Sequence, residues 1–276
     1  MSQDAGLFGP GSVTWRVHSH PAMLIGGLRA LMLQALHPRA LAGVGQHSDF
    51  RERPMHRLRQ TATYVATTTF GTTEQARAAG EHVRRVHTHV NGIDPVTGAR
   101  YSAEDVDTLL WVHCVEVHSF LVAVRGYGVK LSDADQDAYL GESARVAELV
   151  GIPPDRVPAS RADMREYFAA MLPHLCVSWE AKQTIDFVAS PPLTRELLPY
   201  AAPLKVVASA AVGLMPRHLR RLAGIDRMWV ADAATFASVG AAVRVLAAGM
   251  RIPFAEQVGE RAMQQLVGGA GFRRAA

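Results

Sequence analysis

The chain has 276 residues, 49% of them hydrophobic and 20% charged, enough apolar material for a large core and not the composition of a disordered protein. Its 29 lysines and arginines exceed 25 acidic residues by 29 − 25 = 4, a mild basicity that gives no ground for a nucleic-acid partner. Cys114 and Cys176 make no disulfide framework and suit a reducing compartment. The opening MSQDAGLFGPGS lacks the basic start and apolar core of a signal peptide, and the longest apolar stretch, 206–215, is far shorter than the ~20 residues that cross a bilayer. A cytoplasmic protein without a transmembrane segment is the expectation.

Apolar residues recur at helical spacing nearly throughout, and no period-2 strand stands out. Residues 1–12 read as a flexible tail. A first helix spans 22–36 and is ended or kinked by Pro38. The stretch LHPRALAGVGQHSDF, with His37 and His47 around a proline and glycines, reads as a turn, and GQHSDFRERP as a polar loop. A second helix opens at Pro54, where proline suits the first turn, and closes at Gly71. A third runs from Thr73 to Gly92, taken as a left-handed stop. After the loop IDPVTGARY, Ser102 reads as the N-cap of a long helix, with Asp105 completing a capping box. Ser132 and Ser160 read as caps of two more helices joined by IPPDRVPAS. Further helices are expected near 178–189, 195–213, 216–223, 228–248 and 254–267. The expected fold is one all-α domain over 1–276, with roughly nine to eleven helices.

The stretch RRVHTHVNG (84–92) raises the question of chemistry. His87 and His89, two apart on a helix, point about 200° away from each other and cannot share one ion. His82 and His87 lie roughly 140° apart, as do His113 and His118, and the zinc-protease spacing is absent. The Glu-x-x-His pairs of di-iron bundles are also missing; the reverse, His113 followed by Glu116, occurs once and leaves a non-haem iron site open. His87 shares an apolar stripe with Ala76, Gly80, Val83 and Val90, and His113 shares one with Val106, Leu110, Val117 and Val124. Each is either a hydrogen-bonded core histidine or an enclosed neutral imidazole of the kind that ligates haem iron. A covalent c-type haem is excluded, because there is no C-x-x-C-H. On the second helix, Arg57 and Thr61 share a face with Gln60 beside them. They could anchor a propionate or steer dioxygen, or they could face water. The basic MPRHLRRLAG (215–224) reads as the solvated side of a short helix.

In order, LHPRALAGVGQHSDF, RLRQTATYVATTTFG, VRRVHTHVNGIDPVTGARYSAEDVDTLLWVH and GLMPRHLRRLAG resemble a bacterial and fungal oxygenase family. It includes the latex-clearing rubber oxygenases and the membrane-associated oxygenase of mycophenolic acid biosynthesis. The resemblance runs from about residue 9 to 255. It implies a globin-like helical core enclosing an apolar pocket, a non-covalent haem b, and dioxygen with a hydrophobic alkene or isoprenoid as substrates, with an electron donor as a further partner. It places the axial iron ligand on His87, with His113 as second choice, and the distal motif on Arg57, Gln60 and Thr61. Gln60 stands where the rubber oxygenases carry lysine. Those enzymes are secreted, whereas this chain shows no export signal. A haem- or small-molecule-binding module without turnover, a non-haem iron enzyme using His113 and Glu116, and a cofactor-free helical protein are the competing readings.

Overall fold

The computed structural model describes residues 4–192, 194–195 and 197–249. Among these, twelve α-helices and one two-stranded hairpin make a mostly helical fold. Its centre is the pairing of α2 (Met23–Gln34) with α6 (Val106–Tyr127), the most extensive helix contact among the described residues. Both helices are apolar almost all round, as a helix buried on every side requires. Met32, Leu36, Trp111, Cys114, Val115 and Leu121 are each less than 5% exposed there. Burying side chains of this size stabilises the fold by roughly 1.5–3 kcal/mol each before entropy is counted.

The two axes approach closely because position 26 is glycine. A Cβ there would lie 2.9 Å from the Cα of Phe120 and 2.9 Å from the carbonyl oxygen of Ser119. Around this pair, α10 (Ala201–Gly213) packs on α2, and α12 (Trp229–Gly249) packs on α10 and α6. By length and hydropathy both α6 and α12 are apolar enough to span a bilayer, although neither contains a long unbroken apolar run. The α6 window lies largely inside the protein, whereas only 17% of the α12 window is buried.

Two helices were not expected: one between the tail and the first expected helix, and one where a turn was read. The first, α1 (Val13–His18), is too short to show a period, and its ends are satisfied from outside. Ser12 Oγ accepts from Trp15 N, and the Glu142 carboxylate accepts from Val13 N and Thr14 N. The second, α3 (Pro38–His47), starts on proline and is capped by His37, whose Nδ1 accepts from Ala40 N at 3.3 Å. Pro38 thus begins a helix rather than merely ending one. Residues 4–12, expected as a flexible tail, are fastened: Asp4 accepts from Thr73 N and Thr73 Oγ1, and Arg145 donates to Leu7 O.

The helices α4 (Pro54–Phe70) and α5 (Thr73–His87) form a hairpin about Gly71 and the Thr72–Gln75 capping box. The helix α5 stops at His87, short of Gly92, and the chain enters β1 (Asn91–Ile93), paired antiparallel with β2 (Arg100–Ser102). Gly92 serves close approach, not a left-handed turn: a Cβ there would sit 2.7 Å from Gln46 Oε1. Ser102 belongs to β2, and Asp105 is the N-cap of α6, accepting from Asp107 N at 2.9 Å. Strands of three residues carry too little alternation to be read as a period. The caps at Ser132 and Ser160 open α7 (Asp133–Leu149) and α8 (Arg161–Met171) as expected. The remaining helices, α9 (Trp179–Ala189) and α11 (Arg217–Leu222), also fall where the pattern puts them, and the helix expected at 254–267 lies outside the described residues.

Gly26→Ala should therefore destabilise the protein by about 1–3 kcal/mol through enforced separation of α2 and α6. Urea unfolding of the two proteins checks this; an unchanged midpoint would show that the close approach is not needed.

Candidate functional site

The α4–α5 hairpin reaches the rest of the protein through α1 and α7, and neither helix packs broadly on α6, whose partners are α2, α12, α7, α1 and α3. The charge of Arg57 acts on both Glu116 and His87, and that of Glu116 on Tyr64, so side chains of α4, α5 and α6 are near one another. From α4, a stripe at i, i+4 and i+7 supplies Arg57, Thr61 and Tyr64. Arg57 Nη1 donates to Thr61 Oγ1 at 3.2 Å, so the expected shared face exists. Gln60 lies on the adjoining face, and all three of Arg57, Gln60 and Thr61 are open to water.

His87, in the last turn of α5, is half-buried. Its Nδ1 is sealed from solvent and has no hydrogen-bond partner among the described residues. Burial, and then the nearby Arg57 charge, push its pKa below the usual histidine value, so at neutral pH the ring is neutral, the form that ligates metal. His89, two residues on, is exposed. Thus Arg57, Thr61 and His87 come together, with Gln60 at the edge and His89 outside.

From α6 comes Glu116, which was read only as a candidate iron ligand beside His113. It is half-buried, and burial raises its carboxyl to about 7, against which Arg57 pulls it down. Glu116 in turn acts on Tyr64, whose hydroxyl is buried without a partner and whose pKa burial raises well above the ordinary tyrosine value. Tyr64 escaped the sequence reading, although the stripe that joins Arg57 to Thr61 continues to it one turn later. His113 faces elsewhere. It is buried, its Nε2 is 3.3 Å from Ser143 Oγ, and burial lowers its pKa to about 4. Among the described residues no group of three or more His, Cys, Asp or Glu side chains could hold a metal ion. A cofactor that needs a single protein ligand is compatible with this arrangement; a site built from His113, Glu116 and a third histidine is not assembled by it.

On α4, Arg57, Gln60 and Thr61 present exposed polar side chains. Two clefts elsewhere, about 240 Å³ beside Tyr127 and Phe236 and about 400 Å³ between α6, α7 and α8, include neither Arg57 nor His87.

The Glu116 carboxyl, raised from 4.5 to about 7, has a stability consequence of definite sign. Between these pH values the folded state holds a proton that the unfolded state has released, so stability falls as pH rises through the window. Glu116→Gln should abolish that fall and gain on the parent by about 1–3 kcal/mol between pH 5 and pH 8. Parallel urea titrations at the two pH values measure the difference; equal slopes in both proteins would contradict the buried carboxyl.

Residues 15–247 match the family described as ER-bound oxygenase mpaB/B'/rubber oxygenase, catalytic domain. The chain is also 30% identical over 188 residues to uncharacterized proteins of Mycobacterium bovis and of Mycobacterium tuberculosis, covering 63% of this chain and 68% of each relative. No solved structure matches it. With the match spanning all but the two ends, and with its helical fold, this chain belongs to the mpaB/rubber oxygenase family.

Proposed function

We propose that this member of an oxygenase family is a haem b-dependent enzyme that transfers oxygen from dioxygen to a hydrophobic small molecule bearing a carbon–carbon double bond. The observation that carries the reading is His87: a neutral, half-buried imidazole with an unpartnered ring nitrogen, opposite Arg57 and Thr61, in the last turn of a capped helix. The residues fit such a group. Porphyrin iron needs a single axial imidazole from the protein. A guanidinium and two hydroxyls nearby suit a propionate or an oxygen carrying partial negative charge.

When bound, the haem would supply the activation of dioxygen. His87 would hold its iron. Arg57, kept in place by Thr61, would orient an anionic or strongly polar oxygen by directed N–H donors. Tyr64 has a free hydroxyl to donate into the same space. Glu116, near its titration midpoint at neutral pH, can hold or release a proton at its carboxyl oxygen without a large free-energy change. Gln60 replaces a cation with a neutral amide, so charge on the α4 side rests on Arg57. Arg57, Gln60 and Thr61 are in contact with water. A hydrophobic substrate entering between α4 and α6 would expel it and strengthen each of these interactions.

The protein expressed with iron and a haem precursor should show the intense violet haem band, and His87→Ala should lose it. Arg57→Leu should retain the band yet reduce oxygen uptake on alkenes and terpenoids by about tenfold or more. Full haem content and an unchanged spectrum in His87→Ala would remove His87 from the iron.

A further inference from the structure

The opposite side of α6 lines a second site. His118 follows Glu116 by two residues, about 200° around the helix, so the two faces are separate. On this side lies the cleft of about 400 Å³ closed by α7 and α8. Its volume is within the roughly 300–1,000 Å³ of small-molecule sites. The lining is divided by chemistry. Leu121, Leu140, Met164 and Phe168 make it apolar along its length, and three of its other side chains are Arg125, Arg161 and Arg165.

The three arginines are not equivalent. Arg161 is committed to Asp133 at 2.6 Å and to Asp137 at 3.2 Å. Arg165 donates its Nε to the Arg161 carbonyl, and neither it nor Arg125 is tied into an ion pair with a described residue. Both are exposed at the rim. His118 is half-buried beside Phe168, with ring centroids 4.9 Å apart. Burial and then Arg29 and Arg125 drive its pKa to about 3, so it adds no charge of its own.

Gln136 supplies an independent sign of a ligand. It is 2% exposed and lines the cleft. Its Nε2 donates to the Leu131 carbonyl at 3.2 Å and lies 3.5 Å from Asp133 Oδ1, two acceptors that fix which end of the amide is nitrogen. Its Oε1 is buried and accepts nothing. Buried acceptors without a donor are rare in native proteins. Gln136 lines the same cleft as Arg125, Arg161 and Arg165.

We propose that this cleft binds one molecule of an aliphatic carboxylic acid with a hydroxyl near its head group: the carboxylate on Arg125 and Arg165, the hydroxyl donating to Gln136 Oε1, and the chain along Leu121, Leu140, Met164 and Phe168. The guanidinium fork matches a carboxylate in two parallel hydrogen bonds. The site is independent of the His87 site and goes beyond the oxygenase reading, since a protein without haem could still bind here.

The test is calorimetric titration of the full chain with 3-hydroxydecanoate, decanoate and decanol, each below its micelle concentration. The proposal expects 1:1 binding of 3-hydroxydecanoate, several-fold weaker binding of decanoate, and decanol weaker than the hydroxy acid by about tenfold or more. Arg125→Ala with Arg165→Ala should erase the preference for acid over alcohol, and Gln136→Leu the preference for the hydroxy acid. Val122→Phe, which fills the cleft wall, should block all three ligands while leaving the melting temperature and any haem band in place. Absence of saturable binding, binding indifferent to the head group in the parent, or association with phosphatidylglycerol vesicles but not with the monomeric acids would each overturn it.

Discussion

The close crossing of α2 and α6 is the constraint on which the other parts depend. It rests on a missing side chain at Gly26 and on a buried cation next to it. Arg29, 2% exposed, donates its Nη1 to Ser119 Oγ at 2.6 Å and its Nε to the Leu214 carbonyl at 2.9 Å. Burial lowers its pKa to about 10, still far above neutrality, so it stays charged inside the core. Such a group has little freedom to move: losing either acceptor would leave a desolvated charge short of partners. It locks α2, α6 and the end of α10 into one arrangement. With α6 fixed, Glu116 is presented to one side and His118 to the other.

On the first side lie the residues on which the proposed function rests. The helices α4 and α5 pack mainly on each other, on α1 and on α7, and the charges of Arg57 and Glu116 reach His87 and Tyr64 from different helices. Arg57 and Glu116 feel one another electrostatically yet form no ion pair within contact distance, so neither neutralises the other. A collapsed pair would be stable and inert. The separated one keeps a neutral imidazole, a guanidinium, two hydroxyls and a carboxyl available at once. This polarity sits beside the proposed hydrophobic substrate without conflict, because oxygen and the propionates of a haem are themselves polar.

The helical class, the helix starts at Pro54, Ser132, Ser160 and Ser178, and the shared face of Arg57 and Thr61 were legible in the sequence because each is local: a cap, a proline or a 3.6-residue period. What was not legible depended on distant partners. The helix α1 needs Glu142 from 128 residues away to complete its N-terminus, and α3 needs a histidine cap that composition does not advertise. Glu116 looked like a neighbour of His113 along the chain, but the fold turns His113 to Ser143 and Glu116 to Arg57. Tyr64 was concealed by its own ordinariness, one aromatic among threonines. The order of segments pointed to the family before any geometry, and the match over 15–247 agrees with it.

The central claim is that His87 holds haem iron, and removal followed by chemical replacement tests it most directly. His87→Gly should take up haemin poorly alone and recover the parent's spectrum and one-to-one stoichiometry when free imidazole is added to fill the vacated position. Unaided haem uptake by that variant with the parent's spectrum, or no haem uptake by the parent protein, would contradict the account.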